Sequence, residues 1–308
     1  MIKTKRIFTI KLNNERLQIT FTDPSEMTSP RFSHAGFITE VLLDDTWQFC
    51  MPEQILPDRR NSNGCGLCGE FVLSTGELAK CGEWFFKPGV GLVKQTADFQ
   101  RFDIFGTYEV NPFPVITEYT DEQTITFFQK GNVWNGYGAD IRKTYHLQEN
   151  QLILEIEVTN TGTEKFELSE YQHNFVSLGQ LPAGPGYQLT LPCDKNLKQI
   201  EAGTLRQGDE YPMPSAVSVQ NDTVHWKERL DMRILYHESY EIHADAPRHW
   251  ILKHENCPVS VREEVNFCPS MIIVWAVEHC ICAELYHTVQ LAPVESACWQ
   301  RTWTFEKK

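Results

Sequence analysis

Apolar and polar residues alternate in short runs along most of the chain. Phe8, Ile10 and Leu12 alternate before Asn13-Asn14, and Leu17, Ile19 and Phe21 resume the alternation after it, which predicts a hairpin. Further strand-like runs lie at 37–43, 124–128, 143–147, 151–158, 232–236, 240–243, 250–254, 271–277 and 280–286. Turn signals such as Asp44-Asp45 and Glu149-Asn150 separate them. The chain ends on a run that puts Ala297, Trp299, Trp303 and Phe305 on one face, with Arg301 among the aromatics as an expected cation–π partner in the core. No window gives an amphipathic helix with a cap at each end. Many short strands with turn signals predict an all-β fold, a sandwich or barrel. No linker, charge block or repeat divides the sequence, so a single domain over residues 1–308 is expected. The stretches 181–186 and 197–218 are expected as long loops, candidates for the rim of a cleft.

Composition narrows the partners. A net charge of −13 argues against a nucleic-acid or anionic-membrane surface, and leaves neutral small molecules as candidates. The longest apolar runs, such as 271–277, are too short to cross a bilayer, so no membrane partner is expected. The first residues lead into an alternating segment instead of an apolar signal region, and a cytoplasmic location is expected. Ten cysteines are irregularly spaced. Cys268, Cys280, Cys282 and Cys298 sit in strand-like runs, where a thiol behaves as a small hydrophobe. Cys65-Gly-Leu-Cys68 followed by Cys81 lacks a fourth ligand at zinc-site spacing, so no metal is expected and the thiols read as reduced and structural. The sequence leaves the oligomeric state open.

Candidate chemistry centres on His173. If residues 171–175 are extended, Tyr171, His173 and Phe175 share one face. An imidazole there reads either as a proton donor in a sugar-sized cleft or as a satisfied core histidine. Three other segments stand out: 31–36, Arg31-Phe-Ser-His-Ala-Gly36; the Gly-rich stretch from Gly64 through Glu70 to Lys87-Pro-Gly89; and Ile281-Cys-Ala-Glu284 with the Trp-rich end.

In this order the four segments resemble the aldose 1-epimerase (galactose mutarotase) superfamily, most closely a mutarotase-like branch of it. The resemblance covers most of the chain. It implies a large antiparallel β-sandwich, the galactose mutarotase-like supersandwich, with a central histidine and a late glutamate facing one sugar cleft. His173, which follows the Asn160-Thr161 turn, matches the histidine; Glu284 matches the glutamate. The turn after it reads Pro293-Val294-Glu295, with valine where the family usually has glycine. The implied activity interconverts the α and β anomers of an aldose or modified hexose without cofactor. Glu284 would take the proton from the anomeric hydroxyl, and His173 would protonate the ring oxygen.

The sequence also departs from the family. Where well-characterised mutarotases carry an earlier histidine in a His-Gly motif, Lys87-Pro-Gly89 stands here. Lys87 reads as a ligand for sugar hydroxyls or a substrate anion, or as a solvated loop lysine. Arg31 and Glu70 read as substrate-binding groups or as members of local ion pairs, and Asn174 as a substrate-binding group or a support for His173. Asp245 falls near the family's substrate-holding aspartate, but its Pro247 context suits a plain turn. Trp84, Trp134 and Trp275 are candidates to stack on a sugar ring or to fill the core. The missing early histidine keeps a second reading open, a carbohydrate-binding or sugar-sensing protein without turnover.

Overall fold

A computed structural model describes residues 9–55, 62–192, 216–229 and 248–308, and the backbone of two further strands, Lys198–Ile200 and Arg233–Glu238. Among the described residues the chain forms two ten-stranded antiparallel sheets and a small three-stranded one, with two single-turn 3-10 segments. No described helix is long and apolar enough to cross a membrane.

The first sheet runs Ile10–Asn13, Leu17–Phe21, Ile38–Leu43, Leu67–Val72, Phe166–Asn174, Cys280–Leu291, Met271–Val277, Arg233–Glu238 and Lys198–Ile200, with Trp47–Gln48 beside the third. The second runs Val217–Gln220, Thr223–Trp226, Tyr187–Thr190, His249–His254, Val259–Val265, Ser296–Lys307, Gln151–Asn160, Ala139–Gln148, Thr124–Gln129 and Val115–Asp121. Trp84–Lys87, Gly91–Lys94 and Val110–Pro112 form the small sheet.

Alternation explains the pairing of the two large sheets. In Ala139–Gln148, residues Ile141, Lys143, Tyr145 and Leu147 are buried, and the residues between them are half-buried or exposed. Ser296–Lys307 buries Trp299, Arg301, Trp303 and Phe305 in the same way. One apolar cluster takes residues from both sheets, for example Ile19, Leu168 and Leu285 from the first and Leu154, Trp250 and Trp303 from the second. This is the sandwich arrangement expected of the sequence.

The hairpin at 10–21, the turn at Glu149-Asn150 and the strands at 151–158 and 271–277 match the sequence pattern. The run at 240–243 and Asp245 lie outside the described residues, as does all of 201–215 in the expected loop. Several strands lack an alternating signature. Leu67–Val72 reads Leu-Cys-Gly-Glu-Phe-Val, buried at every position but the last, because both of its faces are covered.

Candidate active site

Three neighbouring strands build the site. Phe166–Asn174 lies between Leu67–Val72 and Cys280–Leu291, and all pairings are antiparallel. Tyr171 is opposite Glu70 on one side, and His173 is opposite Cys68. On the other side the register runs from Phe166↔Leu291 to Glu170↔His287 and resumes at the Val176↔Ile281 bridge. That register places His173 across from Glu284 and Tyr171 across from Tyr286. Since side chains alternate, Glu70, Tyr171, His173, Cys282, Glu284 and Tyr286 share the face turned away from the second sheet. The segment 29–36 covers that face: Arg31 reaches in, and Phe32 meets the His173 ring edge-on at 5.2 Å between centroids. Phe175 stacks beside the ring at 5.1 Å.

Five of the six candidate residues come together here. His173 Nδ1 lies 2.7 Å from Glu284 Oε1. The ring N–H does not point along that line, so this is a close charge contact rather than an aligned hydrogen bond. On the other ring nitrogen, Nε2 is 3.1 Å from Arg31 Nη2 and 3.5 Å from Glu70 Oε2. Glu70 is the hub. It accepts from Arg31 Nε at 2.6 Å, from Lys87 Nζ at 3.1 Å and from the Tyr171 hydroxyl. Arg31 also donates to Glu53 and Ser62, and Ser62 donates to Glu53. Tyr286 donates to Glu284 Oε2 at 3.3 Å and stacks on Tyr171.

The charges are strongly coupled. Burial alone would push the Glu70 carboxyl up, yet Lys87, Arg31 and His173 together hold it well below the usual carboxylate range. Burial draws Lys87 below the ordinary lysine value despite Glu70, whereas the surrounding acids keep Arg31 firmly charged against its desolvation. Burial and Arg31 both disfavour a charged His173, but Glu284 and the Glu70 contact outweigh them and raise it above the ordinary histidine value. The contacts with Glu284 and Glu70 thus favour the charged form of the imidazole.

Lys87 is thus no solvated loop lysine. It is buried, and its ammonium donates to Glu70 and to the Phe71 carbonyl. The Lys87-Pro-Gly89 turn brings it there. Gly89 has φ +79°, and a Cβ at that position would collide with the Phe71 ring and Ser33.

Asn174 does not join the set. Next in sequence to His173, it points to the opposite face and is fully buried between the sheets. Its amide donates to Glu263, to the Ala283 carbonyl and to the Gln172 carbonyl, and its oxygen accepts from Trp303. Its position as a support for the His173 strand is what the geometry shows. Of the three tryptophans, Trp275 borders the site and packs edge-on against Phe175. Trp84 lies on the small sheet under Lys94, and Trp134 pairs with Tyr137. Cys65, Cys68 and Cys81 do not assemble: Cys81 is exposed and donates to the Thr96 carbonyl, while Cys65 donates to that of Thr39.

Sequence reasoning passed over Cys282, Tyr286, Glu53 and Ser62. The first two carried a usable signal, since each is two residues from Glu284 in one strand and so shares its face. Glu53 and Ser62 come from a stretch without periodicity, and only Arg31 marks them.

A Tyr171→Phe change removes one donor from the Glu70 carboxylate and leaves the ring stacking in place. It is expected to lower stability by about 1.5–3 kcal/mol, the usual worth of a hydrogen bond to a charged group. Urea unfolding with unchanged m-value measures this.

No family profile matches the sequence, and no curated protein matches it either. The fold does have counterparts among solved structures: it is the galactose mutarotase-like β-sandwich. A galactose mutarotase-like protein from Lactobacillus casei superposes with a TM-score of 0.63 at 14% identity, covering 97% of this chain and 100% of its own. A galactose mutarotase-like protein from Clostridium acetobutylicum gives 0.61 at 10% identity, covering 97% and 95%. The GalM/aldose epimerase homologue from C. elegans gives 0.56 at 11% identity, covering 97% and 99%.

Proposed function

We propose that the protein is an aldose 1-epimerase-like enzyme that interconverts the anomers of a neutral aldose, with Glu284 as base and His173 as acid. The observation that carries this reading is the 2.7 Å approach of His173 Nδ1 to Glu284 Oε1. The anomeric hydroxyl and the ring oxygen are bonded to the same carbon, so a base for one and an acid for the other must be close neighbours. Glu284 removes the hydroxyl proton while His173 protonates the ring oxygen. The C1–O5 bond breaks, C1 turns about C1–C2, and the reverse transfers close the ring in the other anomer. Glu70 and Arg31 orient the imidazole from its Nε2 side. A neutral sugar suits the charge inventory, because Arg31 and Lys87 are already committed to Glu70 and Glu53.

Anomer exchange followed by one-dimensional exchange NMR tests this on free, phosphorylated and acidic aldoses. Wild type is expected to accelerate exchange of a neutral aldose. Glu284→Gln should remove about 10²–10⁴-fold of that acceleration, the span of one acid–base group. Acceleration that survives in Glu284→Gln would remove the carboxylate from its role.

One observation favours a second reading, a carbohydrate-binding protein without turnover. The acid and base neutralise one another, and both side chains are nearly inaccessible, 4% and 6% exposed. Line broadening by sugars without acceleration in the same experiment would select that reading.

A further inference from the structure

Cys282 sits beside the acid–base pair and has no part in epimerisation. Its sulfur lies 3.3 Å from Glu284 Oε1. The donor atoms of His173, Cys282 and Glu284 all fall within 4.8 Å of one another, in three buried side chains. We propose that His173 Nδ1, Cys282 Sγ and Glu284 form a three-ligand site for a borderline-soft divalent cation of the zinc type, with a fourth position left for water or a ligand oxygen.

Four features support this. First, one nitrogen, one sulfur and one carboxylate oxygen are the donor types zinc takes, and three protein ligands with an open fourth position is the pattern of its non-structural sites. Second, His173 Nδ1 is buried and, among the described residues, has no aligned hydrogen-bond partner, although it lies close to the other two donors. Third, the spacing is close to what a metal needs. Bonds of about 2.0–2.3 Å in a tetrahedron put donors about 3.3–3.8 Å apart. The Sγ–Oε1 distance already fits, and the 2.7 Å nitrogen–oxygen contact must open by roughly half an ångström.

Fourth, outer contacts suited to such ligands are present. Burial and Glu284 hold the free Cys282 thiol well above the ordinary cysteine value, so the cation itself must drive its ionisation. The Asn174 backbone N–H donates to Cys282 Sγ at 3.1 Å, a contact a bound thiolate would keep, and the Tyr286 hydroxyl donates to the second oxygen of Glu284. With a metal on Nδ1 the histidine keeps its proton on Nε2, where Glu70 Oε2 lies 3.5 Å away as its acceptor. Arg31 then gives up its contact with that nitrogen. Binding displaces the Cys282 thiol proton and the proton on Nδ1 into solvent, so metal uptake releases protons.

This inference does not rest on turnover. It implies that metal and epimerisation exclude one another, since the ion occupies both the acid and the base. Titration of the reduced, chelator-stripped protein with Co²⁺ alone, without sugar, tests it. One equivalent is expected to give a near-ultraviolet thiolate-to-cobalt absorption and the intense visible bands of four-coordinate cobalt, and one equivalent of Zn²⁺ should abolish both. Cys282→Ser should lose the near-ultraviolet band and bind more weakly by at least the roughly 10–100-fold that even outer-shell changes cost. No stoichiometric band, or a band that persists in Cys282→Ser, overturns the proposal; the latter places cobalt on other thiols. Should Cys282→Ser misfold by circular dichroism, proton NMR of the wild-type cobalt form decides. A hyperfine-shifted imidazole N–H, lost in D2O and absent from His173→Asn, is required. Anomer exchange is measured separately with chelator present, so either conclusion can fail while the other stands.

Discussion

Replacing Arg301 by leucine is expected to destabilise the protein by about 3–5 kcal/mol and to disturb the candidate site from behind. Arg301 is fully buried between the two large sheets. Its guanidinium donates to Glu170 at 2.7 Å, to Glu263 at 2.7 Å and to the Leu285 carbonyl at 2.8 Å. Trp299 donates to Glu170, and Trp250 and Asn174 donate to Glu263. The arginine thus ties the His173 strand, through Glu170, to the Glu284 strand, through Leu285, and both to the second sheet. Removal leaves two buried carboxylates without their strongest donor, and that desolvation cost sets the size of the effect. Burial already holds Glu263 above the ordinary glutamate value even with Arg301 beside it. Chemical denaturation measures the loss. A triple change that also makes Glu170 and Glu263 glutamine is expected to recover much of it. If Arg301→Leu costs under about 1 kcal/mol, the buried charges are not the tie between the sheets.

That network also shows where sequence reading stops. The terminal strand was legible, and Arg301 does lie over an aromatic ring, Phe267, at 5.0 Å. Its two acidic partners were not: Glu170, 131 residues away, meets it only through the stacking of two sheets, and Glu263, 38 residues away, only through the register with the neighbouring strand. Long alternating strands such as Gln151–Asn160 announce themselves, since one face is apolar. Leu67–Val72 does not, because cysteine and glycine carry no strand signature. Within the site, the family resemblance singled out His173 and Glu284. Their mutual approach depends on a register between distant strands, which no local pattern encodes. Asn174 could have been excluded by parity alone: in a strand, the neighbour of a cleft-facing histidine faces the core. Cys282 could have been included by the same parity. Arg31, Glu70 and Lys87 were recognised as candidates, but an alternating pattern cannot tell a ligand-binding charge from one side of an ion pair.

Lys143→Met is expected to stabilise the protein at neutral pH, and by an amount that shrinks as the pH rises. Lys143 projects from Ala139–Gln148 into the space between the sheets, beneath Gly69, with no exposed surface. A Cβ at Gly69 would strike its ammonium, so the glycine makes the room it occupies. Among the described residues Nζ has no hydrogen-bond partner; its near neighbour is the Phe71 ring, 5.3 Å from its centroid. Burial lowers the lysine from 10.5 to about 8, against the pull of Glu170. That gap corresponds to about 3 kcal/mol in favour of the neutral amine in the folded chain. Below pH 8 both folded and unfolded chains carry the proton, and the full cost is present. Between about pH 8 and 10.5 the unfolded chain still binds the proton and the folded chain does not, so stability rises with pH from this residue. Methionine fills a similar volume without a charge. The advantage of Lys143→Met should therefore approach 3 kcal/mol at pH 7 and fade by pH 10. Thiols and tyrosines of the unfolded chain also titrate in that range, while burial pushes many of them up in the folded chain, but wild type and variant share them and the difference between the two cancels their contribution. Paired urea unfolding curves at pH 7, 8.5 and 10 measure it. An advantage constant across that range would mean that packing, rather than the desolvated ammonium, separates the two proteins.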